Sequence, residues 1–343
     1  MTGGPSSPSS AAASPAEPAI GAAAPDLRPL TTGELIDRGF TLYRAHFAGF
    51  LLLALLCQSA PLLGQLLITA LNLNPTQPEL LTNPSGFFTK VGLISAITFL
   101  AQLIVFAFEV VITFYIADAY LGKVPSLKQS FRAFTGCIPS SFWTCILNRL
   151  LIGLTLVFPI VAATAIYFYW IINPPDTFGP LLAFAVAALL LMVASLAPVL
   201  VVFMRLMVTV PALALEHLSG WRAIQRSSTL VRYDPGLGVL YWGEMRLSFL
   251  LLPLFIIELM ILMLTSAPLY VHEIGEIVRN GTSGQMAPPP DSVLITSQVL
   301  TFLAGSLILP LYSIATTLFY YDIRIRREGF DLEFMSGQLG RRS

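Results

Sequence analysis

The chain has 343 residues, 55% hydrophobic and 11% charged, with a mean hydropathy of +0.76. A soluble domain carries about 25% charged residues, so this composition excludes a large soluble domain. Lys and Arg total 19, as do Asp and Glu; the net charge is uninformative, and its distribution along the chain carries the information.

Residues 1–25 hold 21 Ala, Pro, Ser or Gly, without the basic start and apolar centre of a secretory signal. Such a segment buries too little surface to offset its chain entropy, so residues 1–29 are expected to be a disordered, solvated tail. Thr31-Thr32-Gly33-Glu34 then fits a capping box. Ile36, Phe40, Tyr43 and Phe47 follow at helical spacing, with Glu34, Asp37, Arg38 and Arg44 on other faces. This amphipathic helix is expected to lie in a membrane interface. Apolar stretches over 49–71 and 91–117 reach the roughly 20 residues needed to cross a bilayer. Pro75, Pro78, Pro84 and Gly86 mark the loop between them.

The same grammar recurs. Ser126-Leu127-Lys128-Gln129 is a second potential capping box, followed by Leu127, Phe131, Phe134 and Ile138 at helical spacing. Spans over 145–172 and 180–210 follow, joined at Asn173-Pro174-Pro175-Asp176. A third, weaker start at Ser219 precedes the partial stripe Trp221, Ile224 and Val231, and Asp234-Pro235-Gly236 turns the chain toward spans over 247–270 and 293–320. A longer loop ending in Pro288-Pro289-Pro290 separates these two. Thr31, Ser126 and Ser219 are 95 and 93 positions apart, and Pro61, Pro159 and Pro253 fall 30, 33 and 34 positions after them. The expected fold is an all-α integral membrane protein with six transmembrane helices. It is arranged as three repeats of an amphipathic interfacial helix plus a helical hairpin, about 31–124, 125–218 and 219–330. The repeats form a membrane domain over 30–336, with a short basic tail over 337–343.

Six spans put both ends and all three amphipathic helices on one side. Fourteen of the 19 basic residues fall there, against Lys90 and Arg279 in the opposite loops. The bias predicts cytoplasmic termini. Basic interfacial helices attract anionic lipid, which makes Arg38, Arg44, Lys128, Arg132, Arg222 and Arg226 the expected contacts.

Glu109, Arg149, Arg205 and Glu258 fall within apolar spans, where a charge pairs, faces a cavity or does work. They form the candidate buried polar site. They can line a polar pathway for an ion or lipid headgroup, or serve as staples between helices and arginines reaching for the interface. Glu109 is within reach of Arg149 or Arg205, and Glu258 of Gln102 or Gln298. Glu244 and Arg246 read as residues at the membrane edge, and Trp170, Trp242, Tyr320 and Tyr321 as interface anchors. Cys57, Cys137 and Cys145 read as packing residues, without metal-ligand spacing. The three histidines, His46, His217 and His272, are scattered, and no nucleotide, hydrolase or metalloprotease motif is present. The expectation is a protein that is not an enzyme and needs no cofactor or metal. Asn280-Gly281-Thr282 matches a glycosylation acceptor too short to carry weight.

Three segments carry a resemblance: LTTGELIDRGFTLYRAHF (30–47), PALALEHLSGWRAIQRSSTLVR (211–232) and ATTLFYYDIRIRREGFDLEFM (315–335). Together they resemble the bacterial glycerophosphoryl diester phosphodiesterase membrane-domain family over about residues 28–336. In some members of that family this region is fused to a catalytic barrel, a fold of about 250 residues. The expectation is the membrane region alone, with no family catalytic residue mapping onto this chain. The resemblance implies a bacterial inner-membrane location near lipid metabolism. The function expected is a non-catalytic, lipid-associated or scaffolding membrane protein with anionic lipids and membrane proteins as partners and no nucleic acid. The alternative is a small transporter or lipid translocator using the buried Glu and Arg residues.

Overall fold

The structure, a computed structural model, describes residues 28–73, 82–172, 178–232, 243–280 and 289–329. The tail before Arg28, the turns at 173–176 and 234–236, Trp242, Thr282, Pro288 and the segment after Gly329 lie outside the described residues. Among the described residues the protein is all-helical, with eleven helices. Six are long and apolar enough to cross a membrane, and the chain is a multi-pass membrane protein.

The first amphipathic helix is α1 (Thr32–Ala45), and its capping box is formed: Thr31 accepts from the Glu34 amide while Glu34 accepts from the Thr31 amide at 2.7 Å. Its inner stripe, however, is Leu35 and Gly39, with Ile36, Leu42 and Tyr43 half-buried and Phe40 exposed. α2 (Phe47–Ala70) starts one residue later. α3 (Pro84–Tyr120) begins seven residues earlier than the hydropathy suggests (91 against 84), because Asn83 caps it and proline is tolerated in the first turn.

The second amphipathic helix is α4 (Leu127–Thr135). Its expected capping box is not made, since Ser126 forms no side-chain cap bond. The hairpin α5 (Ile138–Ile172) and α6 (Phe178–Leu206) follows. The fourth span ends at Leu206 rather than 210, and the chain restarts as the short α7 (Thr209–Glu216).

The third amphipathic helix is α8 (Trp221–Val231). Its cap is Gly220, not Ser219, with φ +55. The Gly220 amide donates to the Thr144 hydroxyl at 2.8 Å, and a Cβ here would strike the Trp143 ring. Ala223, Ile224, Ser227, Leu230 and Val231 are buried by neighbouring helices, so protein and not lipid covers this apolar face.

α9 (Gly243–Thr265) stops five residues before the expected end of its span. The chain bends at Ser266 into α10 (Ala267–Asn280), which covers the last residues expected in the span and the start of the expected loop. Tyr270, Val271, Ile274, Ile277 and Val278 form an exposed apolar stripe at helical period along α10. α11 (Asp291–Glu328) has 38 residues, or roughly 57 Å at 1.5 Å per residue, and overruns a 30 Å hydrocarbon core.

α11 is the axis of the bundle and packs on α1, α2, α3, α7, α8, α9 and α10. The densest core lies toward its C-terminal half, where Phe50, Ile112, Leu247, Ile314, Leu318, Phe319 and Tyr320 are buried. α5 and α6 pack mainly on each other, on α8 and, through their inner parts, on α3 and α9. Most of their apolar residues face outward, as lipid-covered helices do. Pro61, Pro159 and Pro253 lie inside α2, α5 and α9, joined by Pro198 and Pro310 in α6 and α11.

Candidate functional site

Charged groups fall into two kinds of environment. At the end of the bundle that carries α1, α4 and α8, they are tied together. Asp322, only 1% exposed, accepts from the Leu30 amide at 2.8 Å and from Arg326 Nε at 2.9 Å, and pairs with Arg246 at 2.9 Å. Arg246 and Arg326 also donate to the Leu30 carbonyl, at 3.1 and 2.6 Å. This knot fixes the entry to α1 against α9 and α11. Arg246, read from the sequence as a residue at the membrane edge, is largely covered and paired there.

A second knot joins α7, α8 and α11. Glu216 accepts from the Tyr320 hydroxyl at 2.8 Å and from Arg226 Nε at 2.8 Å. Arg226 also pairs with Glu328 at 2.6 Å, and Arg324 with Glu328 at 3.1 Å. The two carboxylates hold the Arg226 guanidinium well above its ordinary range despite its partial burial. Arg226, expected to touch lipid, is committed to Glu216 and Glu328. Tyr320 and Tyr321 are buried by protein, not at the lipid interface, whereas Trp170 is exposed. Arg205 pairs with Glu244 at 2.7 Å and not with Glu109, because α6 delivers it to the start of α9.

The remaining expected lipid contacts divide as follows. Arg44, Lys128, Arg132 and Arg222 are exposed. Arg38 is half-buried, with its guanidinium 5.6 Å from the Tyr120 ring centroid.

The second environment lies within the spans. Glu109, from α3, and Arg149, from α5, line one chamber of about 300 Å³ with Asn148, Thr113, Ser313 and Thr316. They do not close into an ion pair. Arg149 Nε and Asn148 Oδ1 are buried without a hydrogen-bond partner, and the guanidinium lies beside Cys145. Glu258, from α9, borders this chamber and also a second one of about 410 Å³ lined by Gln58, Gln65, Thr265, Ser297, Gln298 and Thr301. Leu309 and Tyr312 are the other residues common to both.

Glu258 is roughly 22 Å along α9 from Gly243 at 1.5 Å per residue, deep in the span, and its side chain is exposed. Its partner is Tyr312, whose hydroxyl donates at 2.7 Å, and neither Gln102 nor Gln298 takes that role. Gln298 instead donates to the Thr69 hydroxyl at 3.1 Å, and its Oε1 is buried without a donor. Of the four expected intramembrane residues, the fold thus brings Glu109, Arg149 and Glu258 to one cleft and takes Arg205 away.

Sequence reasoning missed the Asp322 knot, although Asp322 and Arg326 stand at the i, i+4 spacing of a helical ion pair. It also missed Tyr312, Gln58 and Gln65, which carry no local signal within apolar runs. The three cysteines are free and buried. Among the described residues no group of His, Cys, Asp and Glu is arranged to hold a metal ion. Compared with known proteins, the chain matches no family model, no curated protein and no solved structure.

Proposed function

We propose that this protein binds the headgroup of a lipid-like amphiphile in the two-chambered cleft and passes it between the leaflets. The observation that carries this reading is Glu258. A charged side chain at mid-span costs at least ~2.5–3.5 kcal/mol, yet this one is exposed and held only by the Tyr312 hydroxyl. A cleft lined by Gln58, Gln65, Thr301 and Gln298 on one side and by Glu109, Arg149 and Thr316 on the other supplies polar contacts along a path that hydrocarbon alone cannot. Small-molecule sites are concave and mostly apolar with a few placed polar groups, and both chambers have that character.

The positive-inside bias supports a bacterial inner-membrane orientation with cytoplasmic termini, so that the knots of Asp322 and Glu216 lie on the cytoplasmic side. Residues 30–47, 211–232 and 315–335 support kinship with the glycerophosphoryl diester phosphodiesterase membrane-domain family. The matching positions of α1, α4 and α8 before long apolar helices support three repeated units. A second reading, a lipid-associated scaffold without transport, is favoured by the exposed Lys128 and Arg132 on α4 and by Arg44 and Arg222.

Native mass spectrometry of the purified protein, wild type against Glu258→Gln and Glu109→Gln, separates the two. Retained lipid that is lost in a correctly folded variant supports the translocator. Retention unchanged in both variants sinks it and moves attention to α4.

A further inference from the structure

The 300 Å³ chamber, the inner of the two, holds an acidic and a basic side chain that do not pair with each other. Glu109 stands on α3 and Arg149 on α5, both within the apolar part of the bundle and both lining the same space. In a medium of low polarity such charges attract strongly, and side chains free to meet would close into a pair. Here no ion pair forms between them. Arg149 Nε lacks an acceptor, Asn148 Oδ1 lacks a donor, and both atoms are buried. Each unmet group is costly unless something brings the complementary partner.

The complement of this set is one molecule carrying both kinds of group: an anion for Arg149, and a hydrogen-bearing cation for Glu109 and Asn148. A simple anion leaves Glu109 uncompensated, and a simple cation leaves Arg149 uncompensated. Building on the translocator reading, we infer that the inner chamber takes a zwitterionic headgroup, with a phosphate seated on Arg149 and a primary ammonium on Glu109 and Asn148. Part of the chamber wall is apolar: Phe203, which is exposed, lines it with Ile152 and the buried Leu206. Acyl chains attached to the headgroup have a lipid-like surface to follow out of the bundle. Glu258 and Tyr312 then form the passage to the outer chamber, whose carboxamides and hydroxyls suit a headgroup in transit.

The test uses the full chain, purified and equilibrated with an equimolar mixture of phosphatidylethanolamine, phosphatidylcholine and phosphatidylglycerol, with retained lipid read by native mass spectrometry. Phosphatidylethanolamine is expected to be retained about tenfold over both others. Phosphatidylcholine has the charges but no N–H to donate, and phosphatidylglycerol has no cation. Glu109→Gln and Arg149→Gln are each expected to level the three lipids, while Arg149→Lys keeps part of the preference.

Equal retention of the three lipids by the wild type, with retention still dependent on Glu258, overturns the zwitterion and leaves the translocator reading standing. No retained lipid at all overturns both. Phosphatidylglycerol retained best, or a preference that survives Glu109→Gln, also overturns it. If either glutamine variant fails to fold, the wild-type ranking of the three lipids decides alone. Added soluble phosphoethanolamine distinguishes the source: if it displaces the lipid at millimolar concentration, the zwitterion stands and its carrier is a small solute.

Discussion

The two groups of charged residues in this bundle differ in whether they are satisfied. At one end Asp322, Arg246 and Arg326 close on one another and on the Leu30 backbone, and Glu216, Arg226, Arg324 and Glu328 do the same with Tyr320. Within the spans Glu109 and Arg149 share a chamber without pairing, and Glu258 has only a phenol. Both sets bring charge into the bundle, so the presence of charge among packed helices does not by itself distinguish a staple from a site. What distinguishes them is the count of partners. Removing one member of a satisfied buried set leaves the rest uncompensated, whereas neutralising an unsatisfied group removes a desolvation cost.

That contrast orders the expected effects on stability. Asp322→Ala, which takes from two guanidiniums and the Leu30 amide the carboxylate they share, is expected to cost about 3–5 kcal/mol. Thermal unfolding in detergent then shows a fall on the order of 10 °C, and a melting temperature within a degree or two of wild type breaks the contrast. Arg226→Gln loses charged bonds to Glu216 and Glu328, a loss of about 1.5–3 kcal/mol. An unaltered melting curve would return Arg226 to the lipid-facing set.

Glu258→Gln keeps an acceptor for the Tyr312 hydroxyl and removes the cost of a charge, so it is expected not to destabilise, whereas Tyr312→Phe loses one hydrogen bond to a carboxylate, about 1.5–3 kcal/mol at most. Both are expected to abolish movement of fluorescent lipid in proteoliposomes; full transport in both variants shows the cleft to be inert. Lys128→Gln with Arg132→Gln is expected to leave unfolding unchanged. Preference of the purified protein for anionic over neutral lipid should weaken by about 1 kcal/mol per residue, roughly thirtyfold for the pair, and an unchanged preference removes α4 from the lipid contacts.

The smallest effect belongs to Glu34. Its bond from the Thr31 backbone, then its bond from Arg28, lower its pKa from 4.5 to about 2. A carboxylate with a depressed folded pKa adds stability that is fully present above 4.5 and lost as pH falls toward 2. The group is exposed, so Glu34→Gln should flatten the acid limb of the melting profile only slightly between those values. A limb unchanged by the substitution shows that the capping box adds nothing.

How much was legible depended on range along the chain. The six long apolar helices, the three short amphipathic helices before them and the Thr31–Glu34 box were readable because hydropathy, helical period and capping act within a few turns. The same local reading misplaced ends where packing intervenes. α10 falls largely where the sequence predicts a loop, its apolar stripe being interrupted by His272, Glu273 and Glu276. α8 was assigned to the lipid interface because its amphipathic pattern does not say whether lipid or protein covers it. Glu109, Arg149 and Glu258 stood out as charges in apolar runs, while Tyr312, Gln58 and Gln65 did not, since a lone polar residue in such a run carries no period.

The sequence by itself determined that this chain is a helical, multi-pass membrane protein, because burial of apolar side chains in lipid depends on composition over some 20 neighbouring residues. Only the tertiary structure decided which charges are satisfied. Leu30 meets Asp322 across 292 positions and Tyr312 meets Glu258 across 54. Nothing along the backbone specifies such meetings; the packing of α9 and α11 does.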